Sequence, residues 1–308
     1  MSIDGILNIN KPAGETSLEV VDLVRRLSGQ RHIGHAGTLD PGATGVLPIC
    51  LGQAARVASF IVEAHKTYQA EIELGVSTDT YDAEGKVTQR VDPSYITLER
   101  VERVLPSLSG SILQKPPMYS ALKHQGKRLY ELARAGIEVE REERRVEVFR
   151  LEIVDWQPPI FTIDVECGKG TYIRCLAHDL GESLGCGAHL RKLVRLRCGF
   201  FDISDSLTLP QLEDSFQHNY WQHLLYPMDV VIEHWVAAIV SKEKEHDIRN
   251  GRPLALGEGD DKAHCRAYSL DGRFLAVLRF LPEKGLWQPE KVFSSEQCCN
   301  LASKRLDS

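Results

Sequence analysis

The sequence predicts an α+β protein with a central mixed or antiparallel sheet and a small β-rich domain near its C-terminal end. Segments that alternate like strands are interspersed with segments of helical periodicity, and no regular βαβ repeat runs through the chain. After Val231 the pattern changes, and short strands and turns dominate. The 308 residues suffice for one large and one small domain. We therefore expect a large domain at 1–229, a β-rich domain at 230–293 and a tail at 294–308.

The first half of the chain begins with a helix and continues with a strand. Thr16 and Glu19 form a capping box ahead of apolar residues at helical spacing, and Gly29 marks the end of that helix. The segment TYQAEIELG alternates apolar and polar residues, which predicts a half-buried strand. TLERVERVLPSL predicts a helix that ends near Pro106, and KRLYELARAG predicts a short helix closed by Gly136.

The second half returns to strands between Val146 and Arg174. In FTIDVECGKGTYIR, apolar residues alternate at Phe161, Ile163, Val165 and Cys167 before two glycines. YIRCLAHDLGESLG then predicts a helix, and GAHLRKLVRLRCGFF predicts another strand. Asp271 and Gly272 stand between two apolar stretches, a strong signal for a β-hairpin. These elements supply both the large sheet and the small β-rich domain.

The charge distribution allows a nucleic-acid partner although the total is acidic. The net charge is −6, whereas phosphate contacts need Lys and Arg. Lys and Arg outnumber acids locally at 115–150 and 168–200, so basic surfaces are expected there. The second stretch predicts a phosphate-binding track of Arg191, Lys192, Arg195 and Arg197.

Composition also excludes several classes of protein. The eight cysteines form no CxxC pair, so we expect reduced thiols in a cytoplasmic protein rather than a disulfide framework or a zinc site. The chain has no apolar run of about 18 residues, and its start lacks the pattern of a signal peptide. We expect no membrane association.

The loop RHIGHAGTLDPGATGVLP carries a single acid, Asp40, among glycines, histidines and threonines. An isolated Asp before a proline usually caps a turn. The glycines, however, permit close approach of a ligand to the backbone. His32 and His35 have no third metal ligand beside them in the loop, so we expect no metal. The residues alone make this loop a candidate site without naming its chemistry.

Within this loop, GHAGTLDPGATGVLPICLGQAARV resembles the catalytic-loop motif of the TruB family of tRNA pseudouridine synthases. Four other segments resemble further motifs of that family, in the same order over about the first 230 residues: NINKPAGETS, KTYQAEIELGVSTDTYDAEG, KPPMYSALKHQGKRLYELARAGIEVEREERRV and CGKGTYIRCLAHDLG. Five ordered matches are far more specific than one.

The resemblance implies a pseudouridine synthase fold followed by a PUA-like RNA-binding domain, which fits the region 230–293. It implies isomerisation of uridine 55 in the T loop of tRNA to pseudouridine, with base flipping and without cofactor or metal. The expected partner is the T-arm of tRNA, and a monomer is the simplest expectation for the enzyme.

The resemblance also assigns catalytic roles to three residues. Asp40 either attacks the sugar C1′ or removes a ribose proton to give a glycal, and the sequence leaves both routes open. Arg174 is the expected ion-pair partner of Asp40, and such a neighbour lowers an aspartate pKa by about 1–3 units. Tyr172 lies two residues earlier on the alternating segment, so it is expected to point the same way and to handle the proton at C5.

Further residues are expected to bind the substrate. Tyr68 resembles the tyrosine that stacks on the target uracil, and His35 resembles the histidine that fills the place of the flipped base. Leu190 is a weaker candidate for the pocket wall. The segment 115–145 is interpreted as a flap that closes on the T-arm. The basic residues expected to contact RNA are Lys11, Lys123, Lys127 and Arg128.

Three alternatives remain open. A guide-RNA-dependent relative shares the fold, but it typically lacks the flap segment and carries basic tails. A non-catalytic RNA-binding module could assist tRNA folding by opening the T loop. A hydrolase with an aspartate nucleophile would need a second acid or a metal cluster near Asp40.

Overall fold

The computed structural model describes residues 3–120, 122–260 and 263–294. Within these ranges the strands are β1 (Gly5–Lys11), β2 (Ile33–His35), β3 (Thr44–Leu51), β4 (Lys66–Leu74), β5 (Val76–Thr78), β6 (Val87–Arg90), β7 (Gly110–Gln114), β8 (Lys123–His124), β9 (Lys127–Arg128), β10 (Arg144–Gln157), β11 (Ile160–Cys167), β12 (Ala188–Cys198), β13 (Phe201–Asp202), β14 (Val236–Val240), β15 (His264–Ser269), β16 (Phe274–Leu281) and β17 (Leu286–Val292). The α-helices are α1 (Ser17–Ser28), α2 (Ala58–Glu63), α3 (Leu98–Val104), α4 (Leu129–Arg134), α5 (Ile173–Leu184), α6 (Leu209–Gln217) and α7 (Lys242–Arg249). The predicted tail lies outside the described residues from position 295 onward.

The large sheet confirms the predicted α+β class. Its order is β1-β3-β12-β4-β11-β10-β7, with β2 beside β3 and β13 beside β12. β3 and β12 run parallel, and the other neighbouring pairs in the described part of this sheet are antiparallel. The sheet is therefore mixed, as expected from a chain without βαβ repeats. The parallel pair matters for the site because the segment that carries Asp40 leads directly into β3.

Local signals in the sequence produce the predicted helix and strands. Thr16 and Glu19 form the capping box of α1, and Gly29 ends that helix in the left-handed conformation. Along β11 the residues alternate between buried and half-buried positions, as a strand that covers a core on one face requires. The helix predicted over YIRCLAHDLGESLG is confirmed as α5. One expectation is wrong: Tyr172 and Arg174 do not lie on one alternating segment, because β11 ends at Cys167 and α5 begins at Ile173.

A four-stranded sheet, β14-β15-β16-β17, follows the large one, and the hairpin predicted at Asp271 and Gly272 joins β15 to β16. α7 packs on this sheet through Ile248. On its other side, Phe274 and Phe293 join a buried cluster with Ile6 of β1. The two sheets therefore share an apolar core in addition to the chain that connects them.

Gly45, at the start of β3, allows the parallel strands to pair closely. Its φ is +100°, and an added Cβ would lie 2.3 Å from the main-chain oxygen of Arg195 on β12. We expect Gly45→Ala to lower the free energy of unfolding by about 3 kcal/mol, because both the backbone strain and the clash oppose the native geometry. Urea denaturation measures this loss.

Gly14→Ala provides the matched control for this prediction. Gly14 has a similar φ of +89°, but no described atom lies within 4 Å of an added Cβ. Its replacement should cost about 1 kcal/mol from backbone strain alone. Equal losses for the two variants would show that contact with β12 does not limit position 45.

Candidate active site

The loop of residues 36–43, here called the Asp40 loop, is fixed at several points. Ser17 Oγ donates to the Leu39 carbonyl at 3.0 Å and accepts from the Leu39 amide at 2.9 Å. The amide of Ala43 donates to the Asp40 carbonyl at 3.1 Å, and the amide of Gly14 donates to the Pro41 carbonyl at 3.0 Å. These bonds hold the loop on the N-terminus of α1, so its aspartate is presented from a rigid support.

Lys11 belongs to this support rather than to an RNA-binding surface. Its side chain is fully buried, and Nζ donates to the carbonyls of Pro12 (2.8 Å), Glu15 (2.6 Å) and Pro41 (3.0 Å). Burial lowers the pKa of Lys11 to about 8, against the attraction of the Asp40 carboxylate. The expectation that Lys11 contacts the substrate is corrected, because its ammonium group is enclosed and occupied.

Arg174 lies between two carboxylates. Its side chain is 5% exposed, with Nη2 3.1 Å from Asp40 Oδ2 and Nη1 3.3 Å from Asp82 Oδ2. Nη2 also donates to the Tyr119 carbonyl at 2.7 Å. The fold thus brings together Asp40 and Arg174, which the resemblance had paired, although one is in a loop and the other in the first turn of α5.

Asp82 is the acidic residue that the sequence reasoning missed. Its Oδ1 accepts from the Thr80 hydroxyl and, at 3.2 Å, from the Glu84 amide, so Oδ2 is left to face Arg174. The only signal was its place in STDTYDAEG, a segment already matched to the family.

The described residues contain no cluster of three or more His, Cys, Asp or Glu side chains suited to a metal ion.

The expected direction of the Asp40 pKa is wrong. Loss of hydration in the cleft raises the pKa of the Asp40 carboxyl above its ordinary value. The guanidinium of Arg174 and the ammonium of Lys11 oppose this effect, and the negative charge of Asp82 adds to it. The expectation considered only the arginine neighbour, whereas desolvation makes the largest contribution to the pKa of Asp40.

Asp40 and Arg174 open onto a cavity of about 260 Å³. Its lining also includes Tyr68, Tyr172, Leu190, Leu193, Lys66, Ser120 and Arg195. Leu190 is 6% exposed and belongs both to this wall and to the core below it. Leu193 was not singled out from the sequence, where it is one of several leucines on a predicted strand.

Tyr172 reaches the cavity by a route other than the one predicted. It is the N-cap residue of α5, so the two-residue alternation of a strand does not explain why it lies near Arg174. Gln114 holds its backbone, accepting from the Tyr172 amide at 2.8 Å and donating to its carbonyl at 3.0 Å. The guanidinium carbon of Arg174 is 5.8 Å from the Tyr172 ring centroid. Tyr172 therefore lies near Arg174 because both residues are at the start of α5.

Arg195 is buried beneath the cavity and does not extend a surface track. It is 1% exposed, with Nε donating to the Val46 carbonyl at 2.6 Å and Nη2 to the Gly37 carbonyl at 3.1 Å. Tyr68 lines the same cavity, and burial raises the pKa of its phenol to about 12, against the effect of the Arg195 charge. The predicted phosphate track is thus corrected at Arg195, because the side chain is buried and holds the Asp40 loop and the start of β3 through main-chain carbonyls.

The remaining candidates lie outside the cavity wall. His35, on β2, is not among the residues that line the cavity, and burial together with Arg195 lowers its pKa. Its Nδ1 is buried without a hydrogen-bond partner in the described ranges. Lys123, Lys127 and Arg128 are exposed on the small ribbon β8–β9 within the predicted flap. Their contact with RNA stays a prediction.

The fold is that of the pseudouridine synthases. The chain is similar to a solved structure described as the crystal structure of a Cbf5-Nop10-Gar1 complex, with a TM-score of 0.73, 26% identity and coverage of 94% of this chain and 85% of that chain. The chain belongs to the TruB family: the model described as TruB family pseudouridylate synthase (N terminal domain) matches residues 25–173. A second model, tRNA pseudouridylate synthase B C-terminal domain, matches residues 174–233.

Relatives match almost the whole chain. A tRNA pseudouridine synthase B of Dehalococcoides mccartyi is 44% identical over 94% of this chain and 97% of its own length. Proteins of the same name from Stutzerimonas stutzeri and Listeria welshimeri are 41% and 42% identical, over 96% and 94% of this chain and 97% and 98% of their own lengths. Among the described residues, no helix has both the length and the apolar character needed to cross a membrane.

Proposed function

We propose that this protein converts a uridine in the T loop of tRNA, at position 55, to pseudouridine. The observation that carries the proposal is the carboxylate of Asp40, 3.1 Å from a buried guanidinium and open to a cavity, in a member of the TruB family. The names of the relatives add that the substrate is a tRNA.

The reaction needs a glycosidic bond to break and a carbon–carbon bond to form, with no net gain or loss of atoms. A uridine swung out of its stack enters the cavity, and the ring of Tyr68 packs on the base. The Asp40 anion then either attacks C1′ or removes a ribose proton, and the bond between N1 and C1′ breaks. Arg174 holds the carboxylate in its ionised form and in place.

The detached uracil turns, and its C5 bonds to C1′. On the first route the bond between Asp40 and C1′ breaks in this step, and on the second Asp40 returns the proton to the ribose. C5 then carries an extra proton that must leave to restore the aromatic ring. Tyr172 lies on the cavity wall near Arg174 and is the candidate for handling this proton. The reaction ends as an isomerisation, because the proton lost from C5 balances the one gained at N1.

We propose that two parts outside the cavity hold the RNA. The exposed side chains of Lys123, Lys127 and Arg128 would neutralise phosphates on the T-arm, with segment 115–145 as the flap. Residues 230–293, with their own sheet, would act as the PUA-like domain, and we place the boundary near residue 229. The first assignment rests on exposure and charge, and the second on the separate four-stranded sheet.

The direct test is incubation of the purified protein with a T-arm transcript, without added metal or cofactor, followed by pseudouridine mapping. We expect pseudouridine at the single T-loop position. A transcript with cytidine at that position serves as the control and should show none. No pseudouridine in either transcript would overturn the proposed function, whereas RNA binding without modification would favour the tRNA-folding role.

Asp82, the second carboxylate beside Arg174, should influence the pH dependence of the reaction through the pKa of Asp40. The carboxylate of Asp82 raises the pKa of Asp40, and the reaction requires ionised Asp40. Activity is therefore lost as the pH falls through this raised pKa. Asp82→Asn should move the acid limb of the single-turnover rate to lower pH, since it removes the charge that raises the pKa. An acid limb that stays in place or moves upward would contradict the coupling.

A further inference from the structure

The turn that carries Asp82 contacts α5 at two points. Asp82 Oδ2 lies 3.3 Å from Nη1 of Arg174. The ring of the preceding residue, Tyr81, stacks on His178 with ring centroids 3.9 Å apart and an angle of 10° between the planes. Arg174 and His178 are four residues apart in α5, so their side chains lie on one face of the helix, one turn apart. Two consecutive residues of the turn therefore contact two consecutive turns of the same helix.

The backbone of Tyr81 has a conformation that a tyrosine rarely adopts. Its φ is +66°, in the left-handed region. Its amide donates to the Thr78 carbonyl at 3.3 Å, and its carbonyl accepts from the amide of Leu190 on β12 at 2.9 Å. Conformations of this kind persist where the surrounding structure holds them, and they cluster at functional sites. In this conformation the Tyr81 ring lies on His178 while the next carboxylate faces Arg174.

The hydrogen bonds that Asp82 makes within its own turn do not set its distance from α5. The Thr78 hydroxyl donates to the Asp82 carbonyl at 2.7 Å, and the Thr80 hydroxyl donates to Oδ1. All three residues belong to one short segment, so these bonds would move with it as a unit. The stacked rings, by contrast, join the segment to the helix that carries Arg174. Close-packed groups resist displacement, so the stack is suited to fix the position of the turn against the helix.

We propose that Tyr81 and His178 are positioning residues for the reaction: their stacked rings set how closely Asp82 approaches α5. The position of Asp82 in turn orients the guanidinium of Arg174, which holds the Asp40 carboxylate. Neither ring is part of the cavity lining, so both act through other residues. This inference rests on the proposed function, because it concerns how Asp40 is aimed at C1′. A small misplacement of a reacting group slows a reaction strongly even when the fold is intact.

The test measures tritium release from tRNA labelled at C5 of the target uridine, under single-turnover conditions with saturating enzyme. Tyr81→Asn removes the ring but keeps a residue that tolerates a positive φ. It should slow release about tenfold, since a misplacement of about 1 Å can cost about a hundredfold, while tRNA affinity stays within about twofold. His178→Ala removes the other ring and should cause a similar loss. Tyr81→Phe keeps the ring and should stay within about twofold of the wild-type rate.

Phe216→Leu provides the matched control. Phe216 stacks on Trp221 with ring centroids 4.5 Å apart, and both residues lie outside the cavity lining. This variant also loses a stacked ring, but it should release tritium at the wild-type rate. A tenfold loss in this control as well would overturn the proposal, because the effect would then follow from the loss of any stacked pair.

A double-mutant cycle shows whether the rings act through Asp82. Asp82→Asn should itself lose at least tenfold in rate. In that background Tyr81→Asn should cause no further loss, because the carboxylate that the ring positions is gone. A full additional loss, a normal rate for Asp82→Asn or a tenfold loss for Tyr81→Phe would each overturn the proposal. If wild-type protein releases no tritium, the proposed function fails before the role of the two rings is in question.

Discussion

Asp40→Asn is expected to abolish pseudouridine formation while tRNA affinity changes by no more than a few-fold. Asparagine preserves the shape of the side chain, but it has no negative charge with which to attack C1′ or to accept a ribose proton. The variant should lose at least about a thousandfold in rate, as expected when the reacting group itself is removed. Tritium release from C5-labelled tRNA measures the rate, and filter binding measures the affinity.

The same variant should be at least as stable as the parent protein at neutral and alkaline pH. Because the pKa of Asp40 is raised in the folded state, its ionisation opposes folding: the cost begins as the pH rises through the pKa of the unfolded aspartate and is complete above the raised pKa. Asparagine removes this cost, and the difference should vanish at a pH below the pKa of an unfolded aspartate. Thermal unfolding at several pH values measures this. A normal rate of tritium release would show that Asp40 is misassigned, and a less stable variant at pH 8 would contradict its pKa direction.

The helices and strands whose signals come from residues close together in the sequence were predicted well. The capping box at Thr16 acts within one helical turn, and the alternation along β11 reflects the two faces of a single strand. Such patterns are complete within about ten residues, so the chain contains all the information that they need. The five ordered motifs also predicted that Asp40 and Arg174 lie close together. A family resemblance contains information about contacts between distant parts of the sequence, which periodicity does not.

Features that depend on the enclosed environment were not predictable in this way. Lys11 and Arg195 resemble surface cations in the sequence, yet both are buried and bonded to main-chain carbonyls. Carbonyl groups have no signature in the sequence, since every residue carries one. The pKa of Asp40 was misjudged for a related reason: a charged neighbour can be guessed, whereas desolvation is a property of the folded cleft.

Asp82 shows why a site can contain more than its reacting residues. It lies 42 positions from Asp40 in the sequence, and the guanidinium of Arg174 between them contacts both carboxylates. Arg174 is thus shared, and its geometry is fixed by two carboxylates and by the carbonyl of Tyr119. An arginine with its planar fork can satisfy all three groups, which a point charge on a flexible stem cannot.

Arg174→Lys is therefore expected to lower the rate of pseudouridine formation about a hundredfold, although lysine retains the positive charge. This is the lower end of the loss in rate expected when one preorganised hydrogen-bond donor is removed. A lysine ammonium that approaches Asp40 withdraws from Asp82 and from the carbonyl, so the carboxylate is no longer aimed at C1′. Single-turnover tritium release at saturating enzyme measures the effect apart from tRNA binding.

Arg150→Lys provides the matched control, because Arg150 forms an exposed ion pair with Glu152 at 3.0 Å and lies outside the cavity lining. That change should leave the rate within about twofold, as exposed ion pairs contribute little. A near-normal rate for Arg174→Lys would mean that charge alone suffices at this position. A large loss restricted to Arg174→Lys would show that the reaction depends on one guanidinium bridging two acids, and hence on the loop that carries Asp82.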